Sequence, residues 1–358
     1  MSIFKDMLKS DESLFRNEVA LDYSYMPKLA PYREIQQRYI ASCIKPLFQN
    51  RNGKNLFIYG KPGIGKTLIC RKVLDAIGEE TDEDIVPIYV NCWKTNTTFK
   101  IMNEICRVIE YKFTQNKRTE ELFEVIKQIL NKKSVVFCFD EIDKVEDLDF
   151  AYSILEDIYR KTIIFITNMK SFLETIDTRL KSRLMVDLLE FKPYNFEETK
   201  GILKKRIESA FVPGSLSDEV LELVAKKTVE LEDLRTGLYL LREAGLSAEN
   251  RSSKKIAPED LQDAIRKLND YNIKNSADLE DDVRFILGII KENSSNKIGD
   301  LFKVYQEKGG SLVYKSFTRK VQKLAEANFI SLSKIEGGAE GNTTIVKYKE
   351  KEKKLSEF

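Results

Sequence analysis

Residues 56 to 67 read Leu-Phe-Ile-Tyr-Gly-Lys-Pro-Gly-Ile-Gly-Lys-Thr, an apolar strand running into a glycine-framed loop. Gly60 and Gly65 bracket Lys61, Pro62, Gly63 and Ile64 and are followed by Lys66, Thr67 and Leu68. That spacing lets the backbone curl round a phosphate at a helix N-terminus. The Lys66 ammonium would reach the β and γ phosphates, and the Thr67 hydroxyl would hold Mg²⁺. The full spacing, with an apolar strand before it and an amphipathic stretch after it, argues against a chance glycine-rich turn.

A second apolar strand, Val135-Val-Phe-Cys-Phe-Asp-Glu-Ile-Asp143, ends in acids. Alone it would read as a solvated strand end; following a phosphate loop by about seventy residues, it makes Asp140 a candidate Mg²⁺ ligand through water. Glu141 is then the candidate general base for an attacking water. Thr162-Ile-Ile-Phe-Ile-Thr-Asn168 delivers an amide to the same sheet edge, where Asn168 could orient that water or merely sit in a strand-to-helix turn.

Arginines come next along the chain. In Asp177-Thr-Arg-Leu-Lys-Ser-Arg183, Arg183 and then Arg179 are candidates to project onto the γ phosphate of a neighbouring subunit. The alternative is a solvated turn, or salt bridges to Asp177 and Asp187. Arg235 follows Glu232-Asp-Leu at a helix start and could reach back over the phosphates. With no histidine in the chain, Ser-His, Cys-His and His-metal chemistry are excluded, and catalysis must use carboxylates and cations.

Elements that could position these groups alternate in the first half. Short β-branched runs at 56–59, 85–90, 134–139 and 162–167, then 185–190, are separated by helical patterns, which predicts a parallel sheet covered by helices over about 30 to 190. Past Phe191-Lys-Pro-Tyr the strands stop, and 197–209, 217–229, 234–250 and 258–268 carry helical periodicity. The polar stretch 269–277 reads as a linker. A third unit then shows helical patterns at 282–292, 298–308 and 314–328, and two strands, 329–335 and 343–348, around a glycine-rich tip, the outline of a winged helix-turn-helix. The expected division is 1–190, 191–272, 278–350 and a frayed basic tail, 351–358.

At 358 residues the chain exceeds one usual core. Its net charge is only +2, so a nucleic-acid surface must come from local segregation of charge. Residues 281–358 carry 15 basic and 11 acidic residues, more positive than the whole. Lys315, Arg319, Lys320 and Lys323 recur at helical spacing opposite Phe317, Val321, Leu324 and Phe329, with Ser316, Thr318, Arg319 and Asn328 as candidates to read base edges and Lys334 and Lys347 flanking the wing. Winged helices also serve as protein-interaction modules. Five scattered cysteines argue for packing in a reducing compartment, and no apolar run is long enough to span a membrane.

This ordered set of motifs, with a helical lid and a winged helix, resembles the AAA+ family. Within it the chain is similar to archaeal origin-recognition and cell-division-control initiators, on Tyr25-Met-Pro through Pro31-Tyr-Arg-Glu34, Val90-Asn-Cys-Trp through Phe99, and Arg179-Leu-Lys-Ser. The resemblance implies ATP/ADP and Mg²⁺ as cofactors, a nucleotide site to which Tyr32 and Arg33 contribute, and double-stranded origin DNA. It also implies other initiator subunits supplying an arginine in trans, a replicative helicase as partner, and a cytoplasmic, nucleoid-associated protein. Tyr32 stands where the family usually has histidine. Residues 111–120, where relatives carry a DNA-touching helical insertion, lack the usual glycine and offer Lys117 and Arg118 as second DNA contacts. The expectation is an ATP-switched initiator with weak hydrolysis. Its rivals are a signalling ATPase whose winged helix packs against protein, and a clamp-loader-like or motor AAA+ protein.

Overall fold

The structure, a computed structural model, describes residues 13–80, 84–277, 281–294, 296–310, 312–326, 329–335 and 343–348. The wing tip, Asn328 and the basic tail lie outside these residues. The chain divides into two compact units at Ala264/Ile265.

In the first unit, five parallel strands form a sheet in the order β2-β3-β4-β1-β5. They are β1 Leu56–Tyr59, β2 Ile85–Asn91, β3 Ser134–Asp140, β4 Lys161–Thr167 and β5 Asp187–Glu190. Every residue of β3 is buried, as a central strand covered on both faces requires. Alternation sends Phe57, Phe137, Phe139 and Phe165 to one face and Ile58, Val136, Cys138 and Ile166 to the other. The first face packs on α3 Thr98–Val108, α4 Thr119–Leu130 and α5 Asp149–Asp157; the second packs on α1 Glu34–Ile44 and α2 Lys66–Glu80. All five cysteines are free and buried, the packing role expected of them.

Two short helices, α6 Phe172–Thr175 and α7 Thr178–Leu184, lead to β5. The lid follows as α8 Phe196–Ala210, α9 Asp218–Leu231, α10 Leu234–Asn250 and α11 Pro258–Ala277. Its helix starts are written locally. The Asn195 side chain accepts from Glu198 N while Glu198 Oε2 accepts from Asn195 N, each at 2.9 Å, a reciprocal capping box. Ser217 caps α9 and Asp233 caps α10.

Two expectations are corrected. Residues 269–277, read as a linker for want of apolar anchors, continue α11 as helix: they hold no proline or glycine, so nothing stops the propagation. Residues 14–25, grouped with the base, pack on the lid, while the Lys28 carbonyl accepts from Lys72 of α2 in the base. Arg16 N donates to Ala210 O at 2.8 Å, Leu14 N to Glu249 Oε1 at 2.7 Å, and the Phe15 and Phe211 rings stack with centroids 4.9 Å apart. Buried Arg206 donates to Ala20 O and Tyr25 O.

The second unit has helices α12 Asp281–Glu292, α13 Ile298–Glu307 and α14 Tyr314–Glu326, and an antiparallel sheet ordered β6-β8-β7. Strands β7 Ile330–Ile335 and β8 Thr343–Tyr348 pair as the expected hairpin; β6, only Asn296–Lys297, was too short to show in the sequence. Ile286, Leu301, Tyr305, Phe317, Val321, Leu324 and Val346 form its core, a winged helix. Among the described residues no helix is long and apolar enough to cross a membrane.

Candidate functional site

The strand order decides which side chains can meet. Strand β4 lies between β1, which feeds the phosphate loop, and β3, which ends in the acids, so the residue that follows β4 must stand between them. That residue is Asn168. Lys66 Nζ donates to Asn168 Oδ1 at 2.8 Å and to the carbonyls of Gly60 and Lys61 at 2.7 Å each. Asn168 Nδ2 donates in turn to Glu141 Oε2 at 3.0 Å. A cation, an amide and a carboxylate thus form one continuous chain across the sheet edge.

Lys66 is buried, and that burial drives its pKa down to about 8; the Glu141 and Asp140 carboxylates pull it up, and Arg235 pushes it down. Burial, with the charges of Asp140 and Asp143, raises the Glu141 carboxyl above the usual range; the Asn168 hydrogen bond and Lys66 oppose the rise. A raised carboxylate is a better proton acceptor. Glu141 also sits in the left-handed region, φ 54°, a strained turn for a non-glycine residue at the end of β3.

Thr67 Oγ1 donates to Asp140 Oδ2 at 2.7 Å. A hydroxyl and a carboxylate so close form a hard oxygen donor set that suits Mg²⁺, which takes one or two protein oxygens and completes its shell with phosphates and water. Tyr89 OH donates to the same Oδ2 at 2.7 Å, and Glu141 N donates to Asp140 Oδ1 at 2.9 Å. The sequence alone assigns Tyr89 no role: its signal is an aromatic hydroxyl two residues before the end of β2, and its partner lies 51 residues away on β3.

The lid closes on the loop from above. Gly63 and Gly65 take φ of 71° and 92°, left-handed values that favour glycine, and a Cβ on Gly63 would overlap the Asp233 carboxylate. Lys61 pairs with Glu232 at the turn between α9 and α10. Arg33 is 4% exposed, and its NH2 donates to Ile64 O at 3.2 Å and Lys192 O at 2.6 Å. Its guanidinium also lies 3.9 Å from the Tyr194 ring centroid. Through NH2, Arg33 ties the loop to the segment that leads into the lid. Tyr32, at φ 65°, places its hydroxyl against Gly201 of α8, where a Cβ would clash.

The remaining candidates lie apart from this centre. Arg183 pairs with Glu156 and stacks 5.0 Å from the Tyr152 ring, a partner different from the Asp177 and Asp187 considered from sequence. Arg179, one turn earlier on α7, is exposed. Lys117 and Arg118 lie in an irregular connection ahead of α4, where Glu121 Oε2 accepts from Arg118 N, and no helix forms over 111–118. In the second unit, Lys315 and Arg319 are exposed on α14, whereas Lys320 lies 3.5 Å from Asp282 with its side chain 13% exposed. Thr318 Oγ1 donates to its own helix, and Lys347 is exposed on β8. The backbones of Lys323 and Lys334 lie on α14 and β7, and that of Ser316 lies in the first turn of α14.

Fold and site together define an AAA+ ATPase: residues 49–171 match the AAA domain model and 200–266 the Cdc6 AAA+ ATPase-type lid domain. The fold implies nucleotide binding with a metal ion. The chain is 30% identical over 357 residues to ORC1-type DNA replication protein 2 of Methanothermobacter thermautotrophicus, covering 96% of this chain and 94% of that one. The chain therefore belongs to the ORC1/Cdc6-type family of DNA replication initiators. The Aeropyrum pernix ORC1 protein, solved in complex with DNA, superposes with a TM-score of 0.70 at 25% identity, covering 93% of each chain. Cdc6p from Pyrobaculum aerophilum shares the fold, with a TM-score of 0.65 at 17% identity over 94% of each.

Proposed function

We propose that this initiator is switched by ATP: it binds and distorts origin duplex, helps recruit the replicative helicase, and hydrolyses ATP slowly to reset. The Lys66-Asn168-Glu141 chain carries the reading, because it connects the group that would neutralise the γ phosphate to the one that would take the proton of the attacking water. Glu141 accepts that proton. Asn168 holds both partners at fixed separation, and Lys66 offsets charge that develops on the phosphoryl oxygens. Thr67 and Asp140 would hold Mg²⁺, which when bound would supply Lewis-acid polarisation of the phosphates.

Arg235 sits at the head of α10 and reports the phosphates to the lid, which Arg33 and the Lys61–Glu232 pair couple to the loop. Exposed Arg179 is better supplied to reach a neighbouring subunit's phosphate than Arg183, which is engaged with Glu156. A monomer should then hydrolyse poorly. For duplex, the exposed Lys315 and Arg319 of α14 support the reading, as does the DNA complex of the Aeropyrum relative.

Footprinting on origin fragments with and without ATP tests it. Protection of a discrete duplex segment, retained in Glu141→Gln and extended by ATP, is expected. Failure to bind any duplex at low salt would leave the winged helix as a protein-packing module and overturn the proposal.

A further inference from the structure

We infer that Tyr89 is a positioning residue for metal-dependent nucleotide binding, its hydroxyl holding Asp140 aimed at the cation. The inference rests on reading Thr67 and Asp140 as the Mg²⁺ side of an ATP site.

Asp140 is 2% exposed, so an ionised carboxylate there needs donors in place of water. It has three. Thr67 Oγ1 and Tyr89 OH converge on Oδ2 at 2.7 Å each, and Glu141 N reaches Oδ1 at 2.9 Å. Thr67 is the donor whose own oxygen faces the substrate's metal, and the Glu141 amide is part of a strained turn. Tyr89 is the side-chain donor with no other duty at the site.

Its placement fits that task. Strand β2 runs in register with β3, Tyr89 opposite Cys138 and Asn91 opposite Asp140, so the phenol rises along the sheet towards the carboxylate. The Arg71 guanidinium lies 4.3 Å from the Tyr89 ring centroid, and Arg71 shares α2 with Lys66 and Thr67. One helix therefore pins the ring, presents the hydroxyl of Thr67 and carries the phosphate-binding lysine. Groups that orient metal ligands in this way commonly change metal affinity by about tenfold or more when removed.

The test titrates a fluorescent ATP analogue into wild type and Tyr89→Phe across Mg²⁺ concentrations from none to saturating, with thermal melts to follow folding. Expected is an about tenfold higher half-saturating Mg²⁺ for the variant, with affinity in the absence of Mg²⁺ unchanged. Arg71→Gln, a surface change that loosens the ring, should shift the same curve in the same direction by less. An unshifted Mg²⁺ curve in both variants, or an equal loss with and without Mg²⁺, overturns the inference while leaving the site intact. Wild type that binds no nucleotide under any condition overturns the site reading, and the inference with it.

Discussion

Lys66 and Asn168, 102 positions apart in sequence, are joined by a 2.8 Å hydrogen bond from Nζ to Oδ1, and the same amide continues to Glu141. With the Thr67–Asp140 bond, this side chain makes the phosphate loop and the acid strand a single electrostatic unit.

Replacing Glu141 by Gln keeps the shape and the Asn168 contact but removes the proton acceptor. Turnover should fall by roughly 10²- to 10⁴-fold with ATP affinity retained. Asn168→Ala should cost less in turnover and should also weaken ATP binding, since Lys66 loses an oxygen partner. Single-turnover hydrolysis alongside equilibrium binding separates the two; equal turnover in wild type and Glu141→Gln would remove Glu141 from the chemistry.

The Lys66 amine titrates near 8 in the folded chain against 10.5 when free. Between those values the unfolded chain holds a proton that the folded chain lacks, so stability of the nucleotide-free protein should rise with pH across that window. Nucleotide affinity should move the opposite way. Triphosphate favours the charged amine, so above about pH 8 binding must recruit a proton and should weaken by up to about tenfold per pH unit. Lys66→Arg keeps its charge and should flatten this slope, as read by isothermal titration at several pH values. A wild-type affinity level from pH 7 to 10 would refute the assignment.

Arg33 answers a buried carbonyl, Ile64 O, and a half-buried one, Lys192 O, at the loop and lid junction. Arg33→Ala leaves both without their donor and should destabilise by about 2–4 kcal/mol in urea unfolding. Lys in its place should rescue little, since one ammonium cannot reproduce the planar guanidinium stacked on Tyr194. A change under about 0.5 kcal/mol for Arg33→Ala would mean that the junction is held elsewhere.

On α14 the structure ranks lysines that look equivalent in sequence. Lys315 and Arg319 are exposed, so each alanine substitution should lower duplex affinity and reduce the salt slope by about one. Lys320, beside Asp282, should matter much less. Fluorescence anisotropy at several salt concentrations measures this; an equal loss for Lys320→Ala would contradict the ranking.

What the sequence by itself determined is what neighbouring residues decide: the glycine-framed loop, the bounds of β1 and β8, the acid-ended strand, and the helix start at Ser217. These are set by backbone sterics, period-two burial and hydrogen bonds spanning three or four residues, so they can be read from a short window. Pairings across the fold could not be read that way. Strand order put β4 between loop and acids and so gave Asn168 both partners, and it brought Tyr89 to Asp140. Packing bound residues 14–25 to the lid, gave Arg33 the carbonyls of Ile64 and Lys192, and set Lys320 beside Asp282 and Arg183 beside Glu156. Each of these depends on which elements lie adjacent, and adjacency is fixed only when the whole core closes.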